Sequence, residues 1–322
     1  MAPHKLTVAA YLADHWLPAM QARGLRPSTL ARYQSHVRCA ITPALGGLTL
    51  QGLMPTHLNK LYGDLRAAGR APKTIRNIHG VLSKALADAE RWGLVGRNAA
   101  RLADVPAVAR PKLRVWSPEQ TRAFLGAVAN DRLFAAWLLA ATTGMRRGEL
   151  LGLRRADIDL DAGVVRVAQA RVRAGNQVVA GEPKTPRGRR TIALDPTTAA
   201  ALRQHRKRQT EERLAAGPHD ADSGLAFTMP GGPPIHPNRF SLWFRRHARA
   251  AGLPAIRLHD MRHSYATAGL AAGVPPKVMS ERLGHATVAF TLDTYTSALP
   301  ALDKSAADVV AGLILGTDVS NR

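Results

Sequence analysis

The 322-residue chain is 46% hydrophobic and carries 45 Lys and Arg against 23 Asp and Glu, a formal charge of +22 at pH 7. This excludes a disordered chain and leaves material for two cores; it also makes a polyanion, nucleic acid above all, the expected partner, because so large an excess repels itself unless counter-charge sits against it. Cys39 is the sole cysteine, which excludes an intramolecular disulfide framework and a Cys-rich metal site, and no uninterrupted apolar run approaches about 18 residues, so no membrane span and a cytoplasmic location are expected.

Residues 7–100 read as four or so helices punctuated by RPST (26–29), ITPALGG (41–47), LMPT (53–56) and RAPKT (70–74), each joining a turn signal to a helix start. Ser28 and Thr74 precede or open stretches bearing Arg32, Arg38, Lys73, Arg76 and Lys84. Helix starts and their cations can face a phosphate backbone, which makes Arg32, Lys73, Thr74 and Arg76 candidate DNA contacts; the plainer alternative is a solvated face. DVPAVARPKLRVW (104–116) is rich in proline and cations, lacks periodicity, and reads as an extended linker. The expected division is therefore a helical domain over 1–103, a linker over 104–116 and a second domain over 117–322.

SPEQ (117–120) opens the second domain with Ser117 as N-cap, Pro118 in the first turn and Gln120 three residues after the cap. Helical patterns run through residue 152. GVVRVAQARV (163–172), NQVVAGEP (176–183) and RRTIALD (189–195) read as strands of one small antiparallel sheet, and helices resume near 196–216, 238–250, 259–272, 276–283 and 287–298. The fold class is mostly α with that sheet in the C-terminal domain.

In RLHDMRHSYATAGLAAG (257–273), a helical advance of about 100° per residue gathers His259, Arg262 and His263 on one cationic face and turns Tyr265 toward Met261, where it can pack. HDMRH also places histidines at i and i+4, but Asp260 stands where a zinc protease motif has Glu, and no third ligand is evident, so no metal is expected. A phosphate site remains as the reading with chemical content, set against histidines that merely satisfy local hydrogen bonds.

TGMRRGELLGL (143–153), PKTPRGRRTI (183–192), HDMRH (259–263) and LGHATVAFTLDTY (283–295) decide between them when taken together. Their order and spacing resemble the tyrosine recombinase, or phage integrase, family. The resemblance implies a helical core-binding, SAM-like domain followed by a catalytic domain. It implies Arg146, Lys184, His259, Arg262, His285 and Tyr295 as the catalytic set, with Glu149 supporting Arg146 and Arg147 as a flanking residue. It also implies a two-domain clamp on double-stranded DNA that cuts through a 3′-phosphotyrosyl link, a homotetramer on paired sites, and an accessory directionality protein as a further partner. No cofactor is expected, since the link conserves the bond energy. With only about six residues ahead of the first helix, the small arm-binding domain of many phage integrases is expected to be missing.

The chemistry is intelligible from the residue types. Attack on a phosphodiester gathers negative charge on five-coordinate phosphorus, which two fixed guanidiniums, Arg146 and Arg262, can stabilise without a metal. A phenol with pKa near 10 needs cationic neighbours or a base, for which His259 is available. Lys184 can protonate the departing 5′-oxygen, and His285 can hold a non-bridging one. Rival readings are a type IB topoisomerase and a non-catalytic DNA-binding regulator. The tail, ALDKSAADVVAGLIL (301–315), has Ala306, Val309, Val310, Leu313 and Ile314 at helical spacing and is expected to dock on a neighbouring protomer.

Overall fold

The computed structural model describes residues 6–109, 113–175, 177–182, 186–217, 221–295, 311 and 314–315. The chain divides into two compact units, Met1–Pro111 with Arg173–Val179, and Lys112–Val172 with Ala180–Arg322.

The first unit is helical. α1 (Val8–Ala10) runs through a π-helical segment, Tyr11–Trp16, into α2 (Leu17–Ala22), and α3 (Pro27–His36) runs through a second, Val37–Ile41, into α4 (Thr42–Leu45). Each π segment ends two residues before a proline, Pro18 or Pro43. A proline ring has no N–H and crowds the carbonyl four residues back, so the turn ahead of it widens rather than breaking. α5 (Pro55–Ala67) and α6 (Pro72–Arg91) complete the unit. α6 buries Ile75, Ile78, Leu82, Ala85, Leu86 and Ala89, one stripe at helical spacing. Against it, the Tyr11 hydroxyl donates to the Ala85 carbonyl at 2.7 Å, and Trp16 Nε1 donates to buried Asp88 at 3.0 Å. Arg23, Lys84 and Arg91 neutralise that carboxylate, which would otherwise be costly to bury. Ser28 and Thr74 lie inside the first turns of α3 and α6 and cap neither; Arg26 and Ala71 hold the N-cap positions, and each helix opens on its proline.

In the second unit, Ser117 and Gln120 form a reciprocal capping box on α7 (Pro118–Ala127). α8 (Phe134–Thr143) has no polar face and is buried almost throughout, packed by α10 (Pro196–Ala216) and α12 (Leu258–Ala271). Trp116, Phe124, Trp137, Phe240 and Phe244 fill the space beside it, the Trp137 and Phe240 rings stacked at 4.2 Å. Further helices among the described residues are α9 (Arg147–Gly152), α11 (Pro237–Ala250), α13 (Pro276–Leu283) and α14 (Val288–Tyr295).

Among the described residues the strands form two sheets instead of one. β1 (Ile158–Asp159), β2 (Val164–Val167) and β5 (Arg190–Ala193) make an antiparallel sheet in the order β1-β2-β5, whereas β3 (Ala170–Ala174) and β4 (Gln177–Gly181) pair separately. β1 went unforeseen because a two-residue strand carries no alternation to read. Only β2 and β5 alternate clearly in burial; β3 and β4 have no fully buried residue, so no core fixes them to the larger sheet. Of the five tail positions at helical spacing, Ile314 is described and exposed, as are Ala311 and Leu315 of the same stretch; Ala306, Val309, Val310 and Leu313 lie outside the described residues.

Candidate active site

Two glycines set up the site. Gly144 ends α8 at φ +62, and a Cβ there would come within 2.6 Å of the Tyr265 ring; Gly284 ends α13 at φ +64, where a Cβ would meet the Arg187 carbonyl at 2.9 Å. Their carbonyls, with that of Leu283, accept from the arginines. Arg262 Nη1 donates to Gly144 O at 2.8 Å and Nη2 to Leu283 O at 2.6 Å, while Arg146 Nη2 donates to Gly284 O at 3.1 Å. The guanidiniums from α12 and from the start of α9 are thus both tied to the end of α13, and that of Arg262 to the end of α8 as well.

Glu149 anchors the group. RRGE places it three residues after Arg146, at the third position of α9, where its carboxylate accepts from Arg146 N at 2.9 Å and from Arg146 Nη1 at 2.7 Å. Arg190 of β5 adds contacts at 2.9 and 3.2 Å and donates through Nε to the Arg282 carbonyl at 2.6 Å. Burial pushes the Glu149 carboxyl up. The Arg190 hydrogen bonds, the charges of Arg190 and Arg146 and the Arg146 backbone N–H outweigh that and hold it below the usual range. Burial, then the Arg146 charge, pulls Arg262 down to about 9, so it remains charged at pH 7.

Tyr295, at the end of α14, is 0% exposed among Ala266, Leu270, Met279 and Leu283. Burial raises its phenol to about 12 against the opposing charges of Arg262 and Arg146. His285, in the α13–α14 turn, lies near-parallel to the Tyr295 ring at 6.3 Å, and its Nδ1 is 2.7 Å from Thr291 Oγ1. Burial, then the Arg262 and Arg146 charges, lowers it to about 3, so the ring is neutral. His259 is exposed as a residue, with its ring edge-on to His263 at 5.0 Å; desolvation of the ring, then the His263 and Arg262 charges, lowers it to about 4. The face of α12 expected to be cationic therefore carries one fixed charge, Arg262, because its histidines are desolvated beside cations.

Arg146, Glu149, Arg262, His285 and Tyr295 converge, with His259 at the rim. Lys184 lies outside the described residues. Arg147 donates to Ser241 Oγ at 2.8 Å and to the Pro237 carbonyl. Tyr265 packs against the cluster that holds Tyr295, and its hydroxyl accepts from Arg282 Nε at 2.7 Å. In the first unit Arg32, Lys73 and Arg76 are exposed and Thr74 is half-buried. An open groove along β2 and β5 is lined by Arg154, Arg166, Arg189 and Arg190. Among the described residues, no group of His, Cys, Asp and Glu could hold a metal, and no helix is long and apolar enough to cross a membrane.

Sequence reasoning assigned no role to three participants. Arg190 was one of several cations in PKTPRGRR, and only strand pairing singles it out. Thr291 had no signal. The third is His263, adjacent to Arg262 in HDMRH, whose Nδ1 is 2.9 Å from the Tyr295 hydroxyl.

The phage integrase family model matches residues 115–301, and the model of the phage integrase N-terminal SAM-like domain matches residues 10–66. A tyrosine recombinase XerC-like protein of Caldanaerobacter subterraneus is 29% identical over 94% of this chain and 83% of its own. The integrase of Mycobacterium phage L5 is 28% identical over 90% of this chain and 76% of its own. Among solved structures, the Tn1549 transposon integrase in complex with transposon right end DNA superposes with a TM-score of 0.76 at 24% identity, covering 94% of this chain and 100% of that one. A lambda integrase dimer bound to a core site gives 0.69 at 18% identity, covering 90% and 95%.

Proposed function

The chain belongs to the phage integrase family and is on that ground a site-specific DNA recombinase; we propose that it cuts and rejoins duplex DNA through Tyr295, integrating or excising a mobile element. The observation that carries the reading is the convergence of Arg146, Arg262 and His285 around Tyr295, two fixed cations and a neutral imidazole around a phenol with no metal needed. Arg146 and Arg262 take the charge of the five-coordinate phosphorus, and Glu149 with Arg190 fixes Arg146. His285 donates to a non-bridging oxygen, and His259 binds at the rim. Because the Tyr295 hydroxyl is covered, a movement that uncovers it precedes attack. Residues 1–103 act as the core-binding domain, with Arg32, Lys73, Thr74 and Arg76 against the backbone, and 117–322 as the catalytic domain after the 104–116 linker. The assembly is a homotetramer on two sites, the exposed apolar tail residues Ile314 and Leu315 supporting docking between protomers, with an accessory protein setting direction in the cytoplasm.

A pool of nicked duplexes of random sequence tests this, because loss of the fragment beyond the nick traps the adduct and sequencing recovers the site. The expected result is a covalent complex on one preferred sequence, recombination between two copies of it, and four protomers by native mass spectrometry. Relaxation of arbitrary supercoiled plasmid without sequence preference would instead favour a topoisomerase, and absence of any adduct a regulator.

The role of Lys184 is tested through the leaving group. Lys184→Ala is expected to slow cleavage of the recovered site by about 10²-fold or more, with far less change in DNA affinity. Replacing the bridging 5′-oxygen by sulfur removes the need for a proton and should restore most of the rate. An equal defect on both substrates would assign Lys184 to binding and turn attention to Arg187, Arg189 and Arg190.

A further inference from the structure

To attack phosphorus, Tyr295 must lose its proton, and the imidazole in contact with its hydroxyl is that of His263, with Nδ1 at 2.9 Å. We infer that His263, a residue to which the family resemblance gives no part, is the group that accepts the Tyr295 proton; this rests on the reading of Tyr295 as the nucleophile. The pair bridges two elements, α12 and the end of α14, with ring centroids 5.6 Å apart and planes tilted by 56°, and His259 backs the His263 ring edge-on at 5.0 Å. His259 itself is exposed.

The surroundings keep His263 able to accept. The titratable and charged groups facing it are Arg257 at the N-cap of its own helix, His259, Asp260 and Arg262 on that helix, Tyr295 on α14, and His285 in the turn before α14. Burial lowers its pKa; Asp260 opposes this, while Arg262 and Arg257 reinforce it, so the imidazole is neutral at pH 7. The phenol is also neutral. In the tautomer that can accept the proton, with the ring's own proton on Nε2, Tyr295 O–H donates to Nδ1.

The step balances. As Tyr295 Oη forms its bond to phosphorus, its proton passes to His263 Nδ1; the P–O5′ bond breaks, and the departing oxygen takes a proton from the general acid proposed at Lys184. On rejoining, the 5′-hydroxyl returns that proton and attacks, the P–Oη bond breaks, and the His263 imidazolium restores the phenol. One positive charge moves between Lys184 and His263 in each direction, so the side-chain charge of the site is conserved.

Single-turnover adduct formation on the recovered nicked site, from about pH 5 to pH 9.5, tests the assignment. His263→Ala is expected to be slower by about 10²–10³-fold at pH 7, with DNA affinity within about twofold of wild type. Its rate should climb with pH where the wild-type rate is flat, and added imidazole should restore it. His263→Gln, which accepts a hydrogen bond but takes no proton, should melt like wild type and be as slow as His263→Ala. A fast His263→Gln beside a slow His263→Ala would reduce the role to positioning and overturn the proposal. A His263→Ala rate at or above wild type would also overturn it, by showing that the bond only stows the tyrosine. Tyr295→Phe run in parallel separates the two levels: if it still forms adduct, the nucleophile reading fails; if it forms none while both His263 variants keep the wild-type rate and pH profile, only the proton acceptor is wrong.

Discussion

Tyr295→Phe is expected to bind the recombination site as wild type does and to yield no covalent adduct under denaturing conditions. The substitution removes one oxygen and keeps the ring that packs against Ala266, Leu270, Met279 and Leu283. The cost to folding is one hydrogen bond to His263, about 0.5–1.5 kcal/mol, small enough for the catalytic unit to remain folded. DNA affinity draws on Lys and Arg contacts to many phosphates, none of which the change removes. The rival nucleophile is Tyr265, whose hydroxyl is committed to Arg282 Nε at 2.7 Å. Gel shift of the variant measures binding, and adduct yield after protein denaturation measures chemistry. An adduct at the wild-type level, mapped by peptide mass to Tyr265, would overturn the assignment.

What could be read beforehand follows from where each signal lives. The Ser117–Gln120 capping box and the long helices, such as Pro196–Ala216, are local; caps, prolines and apolar spacing specify them within a few residues. The family membership was legible because reactive residue types recur in a fixed order along the chain. Contacts that tie distant segments left no such mark. Arg190 reaches Glu149 across 41 residues, and Arg262 reaches Gly144 across 118, so nothing in PKTPRGRR or HDMRH distinguishes the cation that turns inward from its neighbours. The α12 face expected to be cationic differs because helical spacing shows two histidines beside an arginine but not the partial burial and neighbouring positive charge that lower both imidazoles. The π-helical turns before Pro18 and Pro43 were hidden because a proline signals an interruption without saying whether the chain will break or widen.

Glu149→Gln is expected to lower the stability of the catalytic unit by about 3 kcal/mol, the low end for removing one partner from a buried ion pair. Glu149 is 3% exposed, and its carboxylate is the anion between Arg146 and Arg190. The amide keeps the volume and leaves two guanidiniums facing each other with no counter-charge. For a unit of this size the melting temperature should fall by roughly 6–12 °C at pH 7. The dependence on pH identifies the cause. A carboxyl held below its ordinary pKa in the folded chain contributes stability that is complete above the unfolded value of about 4.3 and is lost as pH falls through the folded value. The gap between wild type and variant should therefore be constant from neutrality down to about pH 5 and close below about pH 4. Asp88, Asp195, Glu212 and Asp260 also titrate below their usual range, but they are present in both proteins and cancel in the difference. Adduct formation should fall by roughly 10²-fold at a temperature where both proteins are folded, because Arg146 loses the anchor that aims it at the phosphate. A stability gap that persists unchanged at acid pH would assign Glu149 to packing alone, and a normal adduct rate would show that the Gly284 carbonyl suffices to orient Arg146.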